Sequence, residues 1–264
     1  MKPSTRCVSL GGVGVVLTRP ALQGEKIAAL IREAGGAPVL FPTIAIADVT
    51  DPAALNAMVD RLQAFDLAVF ISQNAAEKGM RAILDRRALP SGLKFAAVGP
   101  STARGLYRHG VAKVAAPASG FDSEALLDLP QLRDVKGTRI VIFRGRGGRE
   151  ILAQRLLQRG ASVEYAECYE RQLPEHDPAP LLQEWRAGKI QAVNLMSVEA
   201  MNNLLTLLGD CGAALARSAT LFVPHPRIGA HARGLSFENV VVTGIGDELL
   251  LTALIERYGT LTSV

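Results

Sequence analysis

The stretch from Arg139 to Arg171, RIVIFRGRGGREILAQRLLQRGASVEYAECYER, constrains this chain more than any other. Its apolar run IVIF suits a strand buried on both faces of a parallel sheet. A Gly-rich turn follows, then a helical stripe, a Gly stop and a second extended run. Parallel neighbours need such crossovers, so the segment points to a layered α/β fold. The N-terminus carries a weaker copy, VVLTRPALQGEKIAALIREAGGAPVLFPTIAI, over residues 15–46. An offset of 125 sets Arg19 on Arg144, Glu25 on Glu150 and Gly35 on Gly160, with Val16/Val141 and Ala28/Ala153 also identical. Five identities over the 21 pairs from 15 to 35 is a low figure, because all βα units look somewhat alike. The shared order of events carries more weight. It predicts two similar half-molecules, each with an Arg at the carboxyl end of a strand, where open α/β sheets bind ligands.

The rest of the chain repeats the same alternation. Strands are expected at 14–18, 67–72, 94–98, 111–115, 139–143, 192–196, 219–223 and 240–242. Helices are expected at 22–34, after Asp51-Pro52, at 74–87, from the Gly99–Thr102 turn to His109, at 124–129, 181–187, 198–208, from 228, and at 248–257. Strict alternation predicts parallel sheets with right-handed crossovers. Some ten strands exceed one small doubly wound domain. The extended segments 38–47, interrupted by Pro42, and 163–172 fall at matching places in the two copies. Proline has no place in a central strand, so the first is an edge or connector. The predicted organisation is domain one from 1–39 plus 172–264 and domain two from 48–165. Residues 40–47 and 166–171 would be linker strands, paired as a two-stranded bridge with a cleft between the domains.

Charge narrows the ligand. The net charge is +4, carried by 22 Arg and only 7 Lys. The guanidinium fork matches carboxylates and phosphates, so an Arg-rich surface suits an anionic ligand. A GC-rich genome accounts for the same excess equally well. No Lys/Arg block is long enough for a nucleic-acid arm. Three widely spaced cysteines, Cys7, Cys168 and Cys211, without a CxxC, predict a reducing cytoplasm. No His/Cys/Asp cluster has ligand spacing, so no metal is expected. The first twenty residues lack the long apolar core of a signal peptide, and no run is long enough for a transmembrane span.

Candidate binding residues cluster at strand ends. Arg144-Gly145-Arg146-Gly147-Gly148-Arg149 combines anion-binding forks, close backbone approach and a helix N-terminus. Arg residues there oppose the helix dipole, which favours binding over a merely solubilising turn. Glu150 stands where a G-x-G-x-x-G fingerprint needs its last Gly, and no GxxxxGK[ST] occurs. Ser72-Gln73-Asn74, Ser101-Thr102 and Ser197 follow strands and can act as helix caps, as ligand contacts, or both. His225 and Arg227 lie in the Pro-stiffened turn after the strand at Val223. Tyr165 and Tyr169, four apart on an extended run, are expected on one side of it, where either phenol can donate a proton or simply cover a hinge.

Taken in order, TRP, FISQNA, AVGPSTA, FDSEALL, RIVIFRGRGGREIL, GASVEYAECYER, MSVEAMNNLL, PHPRIG and GDELLLTALI resemble the uroporphyrinogen-III synthase family over nearly the whole chain. The resemblance implies two flavodoxin-like doubly wound parallel-sheet domains joined by a two-stranded β ladder. It implies a cytoplasmic, monomeric lyase of haem biosynthesis that needs no cofactor, no metal, no membrane and no nucleic acid. The substrate would be hydroxymethylbilane, whose rings carry acetate and propionate groups. It would be cyclised with inversion of its last ring, giving uroporphyrinogen III and water. The family's ladder Tyr matches Tyr169, expected as hydrogen-bond donor to the leaving hydroxyl. The implied substrate-binding set is Arg19, Ser72, Asn74, Ser101, Thr102, Arg144, Gly145, Arg146, Ser197, His225 and Arg227. One departure stands out: relatives carry Gly-Pro-x-Thr-Ala where this chain has Pro224-His225-Pro226-Arg227-Ile228-Gly229, leaving His225 or Arg227 to replace a hydroxyl. The reading from another class is a non-catalytic two-domain anion-binding or sensing module.

Overall fold

The computed structural model describes residues 7–120, 122–148 and 150–262. Phe121 of the predicted FDSEALL loop and Arg149 of the Gly/Arg turn lie outside the described residues, as do residues 1–6. The chain divides into two compact units, Met1–Ala45 with Gln172–Val264, and Ile46–Arg171.

The first unit begins with β1 (Cys7–Ser9), β2 (Gly14–Leu17), α1 (Ala21–Glu33) and β3 (Ala37–Leu40). The second comprises β4 (Ala45–Ala47), α2 (Ala53–Asp60), β5 (Leu67–Phe70), α3 (Gln73–Leu84), β6 (Lys94–Ala97) and α4 (Pro100–Arg108). It continues with α5 (Ser123–Leu127), α6 (Pro130–Arg133), β7 (Arg139–Gly145), α7 (Ile151–Gln158) and β8 (Ser162–Gln172). The chain then completes the first unit with α8 (Ala179–Arg186), β9 (Ile190–Asn194), α9 (Val198–Ser218) and β10 (Thr220–Val223). Last come α10 (Pro226–Gly234), β11 (Asn239–Val242), α11 (Asp247–Tyr258) and β12 (Thr260–Thr262).

Two five-stranded sheets result, ordered β11-β10-β9-β2-β3 and β4-β8-β7-β5-β6. The pairs β2/β3, β2/β9, β9/β10 and β10/β11 are parallel, as are β5/β6, β5/β7 and β7/β8. The fold is thus mixed α/β with two parallel-dominated sheets. Side-chain alternation feeds a core on each face. In the first sheet Val15 and Leu17 pack with Ile27, Phe222 and Leu250, while Val16 joins Val193, Leu221 and Met201 on the other side. In the second, Phe70 and Phe143 stack at 4.5 Å between centroids on one face, and Val69, Ile140 and Ile142 pack with Leu156 on the other.

Several expectations need correction. The run 38–47 is not one strand: β3 closes an edge of the first sheet and β4 an edge of the second, with Pro42 in the gap. Proline cannot donate to a ladder, so the run breaks there. The strand expected at 111–115 reduces to one bridge, Ala96 with Ala115. The helix expected to stop at Leu208 resumes beyond a non-helical Gly209 and reaches Ser218. The antiparallel pair of β1 and β12 had no expectation, since both are three residues long. The internal repeat also pairs non-equivalent strands. By sheet order β2 is the first strand of its unit and β7 the third, flanked by β5 and β8. Any buried parallel strand followed by a helix produces the same pattern, which is why the offset looked like duplication.

Candidate active site

The best-built polar group of the second unit lies at the carboxyl ends of β5, β7 and β8. β8 runs parallel to β7 with Ile142 opposite Tyr165 and Arg144 opposite Glu167, but Gly145 is opposite Tyr169. The extra residue is a β-bulge, and it reverses the side-chain alternation. Tyr165 therefore packs against the Ile142/Leu156 core, whereas Tyr169 joins Ala166 and Cys168 in the Phe70/Phe143 core. The expectation that both tyrosines share one side fails for this reason. A period of two holds only while the ladder is regular.

Tyr169 is 2% exposed and its ring lies against Gly145. A Cβ at Gly145 would sit 2.5 Å from Cε2 and 2.6 Å from Cζ, so only glycine fits. The Tyr169 carbonyl accepts from the Arg146 amide at 2.8 Å. Its hydroxyl lies 3.1 Å from Ser72 Oγ. Ser72 caps α3 by accepting from the Ala75 amide at 3.0 Å. Capping and contact with the phenol coexist in one hydroxyl, which uses different lone pairs and its own proton for each. Ser72 and Asn74 are half-buried, so this side chain carries the network towards solvent.

The Gly/Arg turn is organised by Arg144, which is 3% exposed. Its Nε donates to the Gly145 carbonyl at 3.2 Å, Nη2 donates to the Gly147 carbonyl, and the guanidinium covers the Tyr165 ring at 4.5 Å. Burial raises the Tyr165 phenol above its ordinary range despite that guanidinium. Arg144 thus commits its fork to its own turn. Arg146 is exposed and ion-paired with Glu170 at 2.8 Å. Burial pushes the Cys168 thiol up to about 12, which removes it as a nucleophile near neutral pH. Ser101 is exposed and Thr102 buried in the first turn of α4, whose N-cap is Gly99.

The remaining candidates belong to the first unit. Ser197 caps α9 by accepting from the Ala200 amide at 3.0 Å, and His225 caps α10 with Nδ1 accepting from the Arg227 amide at 3.1 Å. The His225 and Arg227 side chains are exposed. Arg19, just past β2, pairs with Asp247 at 2.5 Å. The sequence reading missed three polar groups here. Thr18 Oγ1 donates to the Asn194 carbonyl at 2.8 Å, and Asn194 Nδ2 donates to the Phe222 carbonyl at 3.2 Å. Asp247 starts α11. Asn194, 1% exposed, was visible as the one polar side chain in the apolar run AVNLM.

These features define a class: a two-sheet parallel α/β protein whose polar side chains gather on helix-capping turns past the carboxyl ends of the strands. A family model described as uroporphyrinogen-III synthase HemD matches residues 25–244, and the chain belongs to that family. The uroporphyrinogen-III synthase of Escherichia coli (strain K12) is 30% identical over 248 residues, spanning 92% of this chain and all of the relative. The Salmonella typhimurium synthase is 30% identical over 249 residues, with the same coverage of both chains. Among solved structures, a mutant uroporphyrinogen III synthase from Thermus thermophilus aligns over 93% of this chain and 100% of its own, with a TM-score of 0.59 at 20% identity. The Helicobacter pylori uroporphyrinogen-III synthetase gives 0.57 at 14%, over 93% and 99%. At such identities the two structures speak for the shared fold. Among the described residues, no helix is long and apolar enough to cross a membrane.

Proposed function

We propose that this protein cyclises hydroxymethylbilane with inversion of the last ring, releasing water and uroporphyrinogen III. Membership of the synthase family over residues 25–244 carries this reading, and nothing favours the non-catalytic anion-binding module. We also read the two units as flavodoxin-like domains. Counted in chain order, the first sheet runs 2-1-3-4-5, and the second does the same with β4 as its last strand. Domain one then comprises 1–39 and 172–264, domain two 48–165, with 40–47 and 166–171 as linker strands.

The chemistry asks for one proton donor and firm positioning. The hydroxymethyl group leaves as water when a donor protonates it, and the pyrrole nitrogen's electron pair completes an azafulvenium cation that keeps its N–H. The last ring attacks that carbon through its substituted position, the spiro intermediate fragments, and reclosure inverts the ring. The proton lost on rearomatisation restores the donor. Tyr169 and Ser72 are the donor pair in this reading. Because the phenol is buried, Ser72 presents its proton to the leaving hydroxyl while Tyr169 donates to Ser72 Oγ. Arg19, Ser197, His225 and Arg227 of the first unit, and Asn74, Ser101 and Arg146 of the second, offer groups for the ligand's carboxylates, while Thr102 is buried and acts only through its turn. Such positioning supplies much of a barrier reduction. Arg144 and Gly145 act indirectly, by fixing the turn on which Tyr169 rests.

The test is incubation with freshly made hydroxymethylbilane, then oxidation and separation of the type I and type III uroporphyrins. Dominant type III is expected. Only type I, the product of spontaneous closure, refutes the reading. Tyr169→Phe should lower turnover while the protein stays folded, and unchanged turnover removes Tyr169 from the donor pair.

A further inference from the structure

β2 and β9 are neighbours in the first sheet, and their outgoing connections run to opposite edges, β2 to β3 and β9 to β10. Open α/β sheets bind ligands at this kind of switch point. Past the carboxyl end of β2 stands Arg19. It continues the face of Val15 and Leu17, which pack with α1 and α11. Asn194 pairs with Leu17 in the ladder and continues the face of Ala192, the same one. Both helices begin at this edge, and neither start has a side-chain cap. Their free amides and dipoles add to the positive character that Arg19 brings.

Asp247 answers that charge incompletely. It meets Arg19 through Nη1 alone, at 2.5 Å, in a pair only 13% and 16% exposed. Arg19 Nε is buried without a hydrogen-bond partner, and so is Asn194 Oδ1. An unmatched donor and an unmatched acceptor on one face, at one strand end, are costly to leave unsatisfied. Asp247 follows a glycine turn. Gly244 (φ 87) and Gly246 (φ 140) bracket Ile245, which is 75% exposed. Only glycine adopts such angles freely.

We propose that the Arg19–Asp247 pair is a carboxylate-exchange site, in which an acetate or propionate of the ligand displaces Asp247 from Arg19. This deepens the proposed synthase function and rests on its carboxylate-bearing pyrrole substrate. A pyrrole ring with an acid side chain offers an acceptor for the Arg19 fork and an N–H for Asn194 Oδ1. Asp247 is then a competitor that the ligand must displace, and a specificity device: a ligand without a carboxylate gains nothing at Arg19.

Binding of uroporphyrin III, followed by fluorescence titration, tests the proposal without turnover, with the uncharged octamethyl ester as control. Asp247→Asn keeps the shape but weakens the competitor. It should tighten uroporphyrin III binding by about tenfold, the worth of one charge-assisted hydrogen bond, and leave the ester unchanged. Arg19→Gln should loosen the acid by a similar factor. If Asp247→Asn binds the acid no better than wild type, Asp247 merely orients Arg19 and the proposal is overturned. Circular dichroism checks folding, and Asp247→Ser carries the same comparison should the Asn variant unfold. Tighter binding by a chain that makes only type I product would sink the synthase reading and keep the exchange site. Dominant type III product without tightening would do the reverse.

Discussion

Gly145→Ala isolates the contact on which the proposed donor pair rests. Gly145 is in extended backbone, so alanine meets no φ penalty and the whole effect is steric. Its Cβ would lie 2.5 Å from Tyr169 Cε2, while ordinary contact begins near 3.4 Å. The ring must retreat by about 0.9 Å. A rigid phenol carries its hydroxyl with it, lengthening the 3.1 Å approach to Ser72 to at most ~4 Å and weakening the hydrogen bond. The ring is packed among buried side chains, so overpacking should cost ~1–3 kcal/mol. Urea unfolding followed by circular dichroism measures this, and the isomer assay reads the loss of type III formation. The decisive comparison is a double-mutant cycle. In a Tyr169→Ala background the cavity accepts the new methyl, and Gly145→Ala should then cost less than ~0.5 kcal/mol. Equal costs in the two backgrounds would show that the glycine matters for something other than Tyr169.

Ser72→Ala removes a helix cap and the phenol's partner together. It should cost ~1–2 kcal/mol, more than Tyr169→Phe at ~1 kcal/mol, and denaturant midpoints rank the two. Asp48 is held below its usual range by its hydrogen bond to Lys78. For Glu77, burial works against the charged form, but His109 and Arg108 outweigh it. Both folded values lie below the unfolded ones, so their stabilisation is present above about pH 4–5 and fades as pH falls through the folded values. Tm should therefore drop less between pH 7 and about pH 3 in Asp48→Asn/Glu77→Gln than in wild type, and an equal drop would contradict the assignment. A thiol pushed up to about 12 should resist a disulfide reagent until unfolding. In a Cys7→Ser background, exposed Cys211 should react at once and Cys168 only in denaturant.

Most of the scaffold was legible because buried parallel strands announce themselves as short apolar runs between amphipathic helices. The strands at Gly14, Leu67, Lys94 and Ile190 fall within a few residues of expectation. The capping roles of Ser72 and Ser197 were also legible, since polar residues just before helices have few other uses, whereas that of His225 was not. Partnerships were not. Arg19 and Asp247 are 228 positions apart, and no local pattern says that α11 starts beside the end of β2. Arg144 looked like a free anion ligand because spacing shows a guanidinium but not the turn carbonyls that occupy it.

The bulge between Arg144 and Gly145 sets the faces on which the two tyrosines lie. Strand alternation sorts residues to faces from their sequence parity, and one extra residue reverses the sorting for everything beyond it. With a regular ladder Tyr169 would share the face of Tyr165 and compete for the space Arg144 already fills. The bulge instead turns it onto the opposite face, where Gly145 leaves room for the ring and Ser72 lies within reach of the hydroxyl. Three features separated in sequence, a Cys168 with no ladder partner, a Gly at the end of β7 and a Ser capping α3, therefore serve one placement. Removing the bulge by inserting one residue between Arg144 and Gly145, which gives Cys168 a ladder partner, should return Tyr169 to the Tyr165 face. Loss of type III formation greater than that of Tyr169→Phe is the expected signature. Activity equal to wild type would mean that the face on which Tyr169 lies does not matter.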